Sequence, residues 1–375
     1  MKKRIEDFLE KGLFPLWAER GWDKEQGGFH ERLLPDLRPA PIDYRRLTSC
    51  ARQLFVFCEA ARRTPRFRST AEKAASYLKE RFYDPSFQGF VFKLDLKGAV
   101  VDPRKDLYAL SFVLFALAHY YETFDRKEVL GDALALNQLL RRHLLLPSGW
   151  YGSDGGADWT MTSRTLEQNP HMHLLEAQLA WFRVSGEDDF KNEATRLIDL
   201  FHRHLFDRRT GTLGEFFDDR GAPHPERGHI VEPGHHFEWV WLLHEAAALL
   251  GTSLEAADRL FEWAVRFGLD HEQGGVFDQL DREGRVLLDT KRIWPLTECI
   301  KARFARFRVN RRQSERDAAL ADLEFLFRHY LLEGGAWREH LRRDLTPSMT
   351  EMPATTPYHL LMCFLEALRA LSSTR

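Results

Sequence analysis

The amino-acid sequence predicts an all-α protein, an (α/α)6 barrel of six inner and six outer helices over residues 1–375. Short β-hairpin-like loops are expected at one end. Three observations carry this expectation. A glycine-aromatic or glycine-aliphatic turn recurs six times, two helical segments lie between successive turns, and those segments alternate between amphipathic and wholly apolar. A repeat of this length marks stacked units that bury their apolar faces only against neighbours.

The turns are QGGFHERL at Gly28, FQGFVFKLD at Gly89, SGWYGSDG at Gly149, LGEFFDDRG at Gly214, GGVFDQLDREG at Gly275 and GGAWREHLRRD at Gly335. Successive glycines lie 61, 60, 65, 61 and 60 residues apart. Glycine supplies the positive φ of a tight turn, and the alternating residues after it read as short strands. Helices are expected near 2–19, 44–62, 67–82, 105–122, 127–144, 170–185, 188–205, 234–250, 253–268, 292–308, 313–331 and 355–371. Segment 188–205 places Phe190, Ala194, Leu197, Ile198, Phe201 and Leu205 on one stripe, the pattern of a helix with one buried face. Segments 105–122, 234–250 and 355–371 are apolar nearly all round, and a helix apolar on every side is buried on every side. One helix of each pair is therefore inner and its neighbour outer. Six pairs, with no polar capping repeat at either end, favour a closed ring over an open solenoid. No linker or low-complexity segment divides the chain, which reads as one domain.

Composition excludes several functions. Fifty-four Lys and Arg against 56 Asp and Glu leave a formal charge of -2 with no basic run, so nucleic-acid and membrane-surface binding have no electrostatic support. The best apolar stretch, LSFVLFALA, is too short to span a membrane, and acidic residues interrupt the basic N-terminus before any signal-peptide run can form. Cys50, Cys58, Cys299 and Cys363 form no close metal-ligand pair, consistent with free thiols in a cytoplasmic protein. Oligomeric state is left open, with a homodimer as one option.

All six turns precede inner helices, so the N-terminal ends of those helices should share one mouth, with N–H groups and positive dipole ends facing it. Unusual polar residues fall there. Arg52 and Tyr108 lie on the first two inner helices; Asn169 and His173 open the third in NPHMH. His235 and Glu238 open the fourth in GHHFEW, Trp294 and Glu298 the fifth in WPLTE, and His359 the sixth in TPYH. Adjacent helical positions point about 100° apart, so His235 and His236 cannot both face the lumen, and the same argument separates His171 from His173. Plain structural roles also fit single residues: Asn169 before Pro170 as an N-cap, Trp294 as core, and Arg52 as the buried partner of Glu298 or Glu238.

Histidines titrate near neutrality and can take and return protons at physiological pH. Removing a proton α to a sugar carbonyl also requires stabilising the enediolate, which Arg52 can do in a dry lumen. Tyr108, Trp239 and Trp294 would wall the sugar. A three-histidine zinc site lacks the HExxH pattern, and a glycoside hydrolase would need two carboxylates, for which Glu238 and Glu298 are candidates. No phosphate loop or nucleophile motif is present.

These segments, RRLTSCARQLFVF, NPHMHLLEA, EPGHHFEW, IWPLTE and TPYHLLMC, resemble the N-acylglucosamine 2-epimerase superfamily across residues 46–363. The resemblance implies an (α/α)6 barrel, no cofactor, no metal, and proton transfer through a cis-enediolate. It implies His235 and His359 as the catalytic pair. Arg52, Tyr108, Asn169, His173, Glu238, Trp294 and Glu298 would bind a monosaccharide. Thr48 stands where some relatives carry tryptophan, and MPATTPYH lacks a basic residue some members have. The compact motifs look most like the mannose isomerases and mannose 2-epimerases, so D-mannose to D-fructose is the expected reaction, with 2-epimerisation as the alternative.

Overall fold

The computed structural model describes residues 1–162 and 166–372, so the last three positions of the 1–375 span lie outside the described residues. Twelve helices follow in order: α1 (2–21), α2 (Leu47–Arg63), α3 (65–82), α4 (Leu107–Phe124), α5 (Glu128–Leu144), α6 (Gln168–Ser185), α7 (188–205), α8 (Pro233–Leu250), α9 (255–268), α10 (Ile293–Asn310), α11 (Gln313–His329) and α12 (Thr356–Ser372). Each lies within three residues of its expected bounds. The largest difference is at the start of α2, where Tyr44–Arg46 form a strand instead of a first helical turn. The even-numbered helices from α2 to α12 pack side by side as an inner ring, each backed by an outer partner. In α2 every residue from Leu47 to Ala60 is buried, as an inner position demands. Outer helix α7 buries Phe190, Ala194, Leu197 and Ile198 along one stripe.

Six antiparallel pairings join the loops at one end. Each strand leading into an inner helix pairs with the hairpin of the next repeat: Tyr44–Arg46 with Lys93–Asp95, Lys105–Asp106 with Asp154–Gly155, and Leu166–Glu167 with Phe216–Phe217. Ile230–Val231 continues with Gln279–Asp281 and Lys291–Arg292 with His340–Leu341. The sixth, Met352–Pro353 with Arg32–Leu33, ties the last loop to the first, and α12 packs on α2. The ring is closed, an (α/α)6 barrel.

The backbone corrects the register of the repeat. The N–H groups of His30, Val91, Gly152, Gly214, Phe277 and Arg338 donate to the carbonyls of Gly21, Phe82, Leu144, Leu205, Gly268 and Tyr330. These equivalent positions are 61, 61, 62, 63 and 61 residues apart, so the apparent 65-residue interval came from aligning Gly214 with the wrong glycines. In the fourth turn Gly211, at φ 76°, takes the left-handed position. Gly214 is needed for a different reason: a Cβ there would lie 2.5 Å from the Phe217 ring.

Three repeats staple the strand before the inner helix to the preceding turn with a buried ion pair. Arg45 meets Asp23 at 2.5 Å, Lys105 meets Asp84 at 2.7 Å and Lys291 meets Asp270 at 2.8 Å, each cationic side chain fully buried. This fixes the mouth into which the inner helices open.

Candidate active site

The N-terminal turns of the inner helices surround a cavity of about 400 Å³ at that mouth. Arg52, Tyr108, Asn169, His173, His235, Glu238, Trp294 and His359 all line it. Glu298 is the exception and corrects its expected role as a sugar contact. It is fully buried behind His359 and does not reach the cavity.

Each lumen histidine is held at Nδ1 by a different carboxylate. His359 Nδ1–H donates to Glu298 Oε1 at 2.8 Å, His235 Nδ1–H to Glu215 Oε2 at 2.9 Å, and His173 Nδ1–H to Glu176 Oε2 at 3.0 Å. This fixes the tautomers when neutral and leaves Nε2 as the working atom. The rings of His235 and His359 flank Trp294, with centroids 5.0 and 5.6 Å from it.

The surroundings push the two histidines in opposite directions. Burial pulls His235 down, but the negative charges of Glu215, Glu232 and Glu238 outweigh it and hold the imidazole up at about 9. For His359 burial dominates, the positive charges of Arg52 and Lys301 act with it, and the ring is pushed down to about 3 despite Glu298. At neutral pH His235 is a cation and His359 a neutral base. His173 is pushed down to about 4, chiefly by burial.

The expectation that Arg52 is the partner of a buried glutamate fails. Among the described residues no carboxylate lies within ion-pair distance of it. It donates from Nη2 to Tyr108 Oη at 2.7 Å and from Nη1 to the Thr355 carbonyl at 3.4 Å, and Nη1 lies 3.5 Å from His359 Nε2. Phe112 and Tyr358 pack on the guanidinium, with ring centroids 4.0 and 4.7 Å from Cζ. A buried, unneutralised cation beside a neutral histidine is set up to meet an anion that forms in the cavity.

Beneath the floor, Lys301 Nζ lies 2.5 Å from Glu298 Oε2 and 4.0 Å from Glu238 Oε1, all three buried. Burial and the repulsion of Glu298 lift the Glu238 carboxyl well above the usual carboxylate range, whereas Lys301 and His359 overcome burial to hold Glu298 below it. Two buried sets bring possible metal-ligand atoms within 4.8 Å of one another: His173, Glu176 and Glu238, and Glu238, Glu298 and His359. In the second the Lys301 ammonium already supplies the cation. In the first the Glu176 carboxylate accepts from Tyr358 Oη at 2.6 Å as well as from His173. The arrangement also removes the glycoside-hydrolase pairing of Glu238 with Glu298, since Glu298 is outside the cavity and engaged by Lys301 and His359.

His171 and His236 point away from the lumen, so only one histidine of each pair faces it. His171 Nε2 accepts the Tyr151 N–H at 2.9 Å and His236 Nε2 accepts the Leu213 N–H at 3.1 Å. Each pins the preceding hairpin to an inner helix. His171→Ala is expected to leave the buried Tyr151 N–H unpaired and lower stability by about 1–3 kcal/mol without changing kcat, which chemical unfolding and steady-state kinetics would check. The N-cap reading of Asn169 also falls. Helix α6 begins at Gln168, with no side-chain cap, and Asn169 lines the cavity with a buried Oδ1 that has no partner among the described residues.

Sequence reasoning missed the carboxylates of the turns. Glu31, Glu215, Asp278 and Glu339 each directly follow one of the six register positions, and each reaches the start of its own inner helix. Glu31 accepts the Arg46 N–H at 2.6 Å, Asp278 the Arg292 N–H at 2.9 Å, Glu215 the Glu232 N–H at 3.3 Å and Glu339 the Thr356 hydroxyl at 2.9 Å. In the fourth repeat this capping acid also orients His235, and Gln168 Nε2 holds it at 2.9 Å. Correct register in the sequence would have exposed Glu215. Aligning on the glycines hid it.

The chain belongs to the N-acylglucosamine 2-epimerase (GlcNAc 2-epimerase) family, whose model matches residues 20–363. It is an enzyme of the sugar isomerase/epimerase superfamily. It is 34% identical to a mannose-6-phosphate isomerase of Rhizobium meliloti (strain 1021), over 96% of this chain and 94% of that one. A cellobiose 2-epimerase of Bacteroides fragilis is 26% identical over 96% of each chain. The crystal structure of a D-mannose isomerase shares the fold, with a TM-score of 0.90 at 24% identity and 98% of both chains covered. No helix among the described residues is long and apolar enough to cross a membrane.

Proposed function

We propose that the protein is a cofactor-independent aldose–ketose isomerase of free monosaccharides that converts D-mannose to D-fructose. The observation that carries this reading is two carboxylate-held histidines that both pack on Trp294, with Arg52, which has no carboxylate partner among the described residues, 3.5 Å from His359. Their surroundings push His235 toward the cation and His359 toward the neutral ring. His235, as the cation, protonates the ring oxygen of the bound pyranose while the anomeric hydroxyl loses its proton, which opens the ring. His359 Nε2 then removes the C2 proton, the negative charge spreads onto O1 as the enediolate forms, and Arg52 stabilises it. Return of that proton to C1, with transfer from O2 to O1, gives the ketose. The cavity suits one sugar ring. Five carboxylates (Glu167, Glu215, Glu232, Glu238 and Glu339) line it against three arginines (Arg52, Arg227 and Arg292), of which Arg292 is already engaged by Glu232 and Asp278, and this balance favours a neutral sugar over a phosphorylated one.

The two histidines flanking Trp294 also support a second reading, 2-epimerisation, in which each serves one face of C2. Incubating the chelator-treated protein with mannose in D2O tests both. Fructose, with the C2 proton carried to C1 or partly exchanged for deuterium, supports isomerisation, glucose carrying deuterium at C2 supports epimerisation, and turnover of neither sinks the substrate reading. The protonation states also set the pH profile. His235 stays charged below about pH 9 and His359 neutral above about pH 3, so kcat/KM should fall as pH rises through the His235 value. Glu215→Gln removes the neighbour that does most to raise it and should move that alkaline limb to lower pH. An unmoved limb would exclude His235 as the acid.

A further inference from the structure

Outside the cavity, one sheet edge departs from the rest of the surface. Three of the small sheets have three strands, and their outer strands are Val100–Asp102, Val286–Leu288 and Pro347–Met349. Exposed edges invite pairing with another chain and are usually blunted by proline or charge. The first ends in Asp102 followed by Pro103, and the third begins with Pro347. The middle one carries neither. Val286, Leu287 and Leu288 are consecutive, apolar and 43, 47 and 42% exposed, a run that water alone does not favour. Beside it a groove of about 590 Å³ combines Phe267, Leu269 and Phe277 with charged Arg266, Glu272 and Arg343.

The residues around this strand are self-complementary. The segment reads Arg285-Val286-Leu287-Leu288-Asp289. Antiparallel pairing of two copies about a two-fold axis at Leu287 sets Val286 opposite Leu288 and Arg285 opposite Asp289, twice over. Cross-strand opposite charges stabilise such a pair, and like charges destabilise it. The Arg285 side chain is 77% exposed although its Nε binds Asp281 at 2.5 Å, and Asp289 has no ion-pair partner among the described residues. We propose that this edge is an isologous dimer interface: a second copy of this chain adds its own Val286–Leu288 strand antiparallel to the first and covers the apolar run. The sheet then runs continuously through the two-fold axis, and neither copy keeps a free apolar edge.

Sedimentation velocity of the full-length protein over a concentration series tests the proposal. The wild type should sediment as a dimer, and Leu287→Lys should weaken the dimer at least about 100-fold by placing two ammonium groups at the axis. Arg285→Asp and Asp289→Arg should each weaken it about tenfold. The double variant R285D/D289R restores opposite charges and should recover the wild-type constant. Thermal melting verifies that each variant folds; Asp281 keeps its bonds from the Glu283 and Arg285 N–H groups without the guanidinium. A wild type that stays monomeric, or a dimer indifferent to Leu287→Lys, overturns the proposal. So does a charge swap that fails to rescue.

Discussion

His359→Ala is expected to lower kcat/KM for the sugar by about 10²–10⁴-fold, the usual contribution of a positioned general base. The loss should appear in kcat, because the base acts on the C2 proton only as the transition state is approached. The fold should survive: the ring sits at the cavity floor, where its removal opens space onto the lumen and not into the packed wall. Single-turnover kinetics, with circular dichroism as the control, would measure it. Retained exchange of the C2 proton with solvent would sink the assignment of His359 as base and leave His235 as the remaining candidate. Arg52 is 3.5 Å from the same Nε2, so its replacement should reduce kcat while leaving the His359 tautomer in place, since Glu298 sets that from the other side.

The second large effect is expected at a residue that does not touch the cavity. Lys301→Met leaves Glu176, Glu238 and Glu298 buried together without their shared cation, and breaking a buried pair from one side costs about 3–5 kcal/mol. Denaturant unfolding would read this directly. The remaining protein should also be impaired in turnover. Glu298 fixes His359 only while it is an acceptor carboxylate, and Lys301, 2.5 Å from Glu298 but 4.0 Å from Glu238, decides which of the two keeps its charge. The double variant K301M/E298Q removes both members of the closer pair and should regain most of the stability without regaining activity. If stability stays lost in the double variant, Lys301 matters for packing on Trp241, whose ring centroid is 4.2 Å from Nζ, and not for charge.

Much of this molecule was legible in the chain. Helices that are apolar on all sides can only be inner, and helices with one apolar stripe can only back them. That alternation, repeated six times, leaves few architectures. The same reasoning brought Arg52, Tyr108, His173, His235 and His359 to one mouth, because residues in the first turns of parallel inner helices share an end. Helical periodicity also separated His173 from His171 and His235 from His236.

What the sequence determined by itself was therefore the ring, its polarity, and that only one of each neighbouring histidine pair can face the lumen, since all three follow from local periodicity; that Glu298 stays out of the cavity did not. Only the tertiary structure decided the charge state of those side chains. That Arg52 sits beside His359 with no carboxylate partner among the described residues, that Glu298 stands behind His359, and that Glu215 reaches across from a turn to hold His235 follow from contacts between residues 20 to 307 positions apart. Electrostatic energies in a buried site depend on distances of a few ångströms and on what each group has given up in solvent. The pattern of a sequence carries neither. Periodicity gathered the candidate residues at one mouth, and packing assigned them their protons.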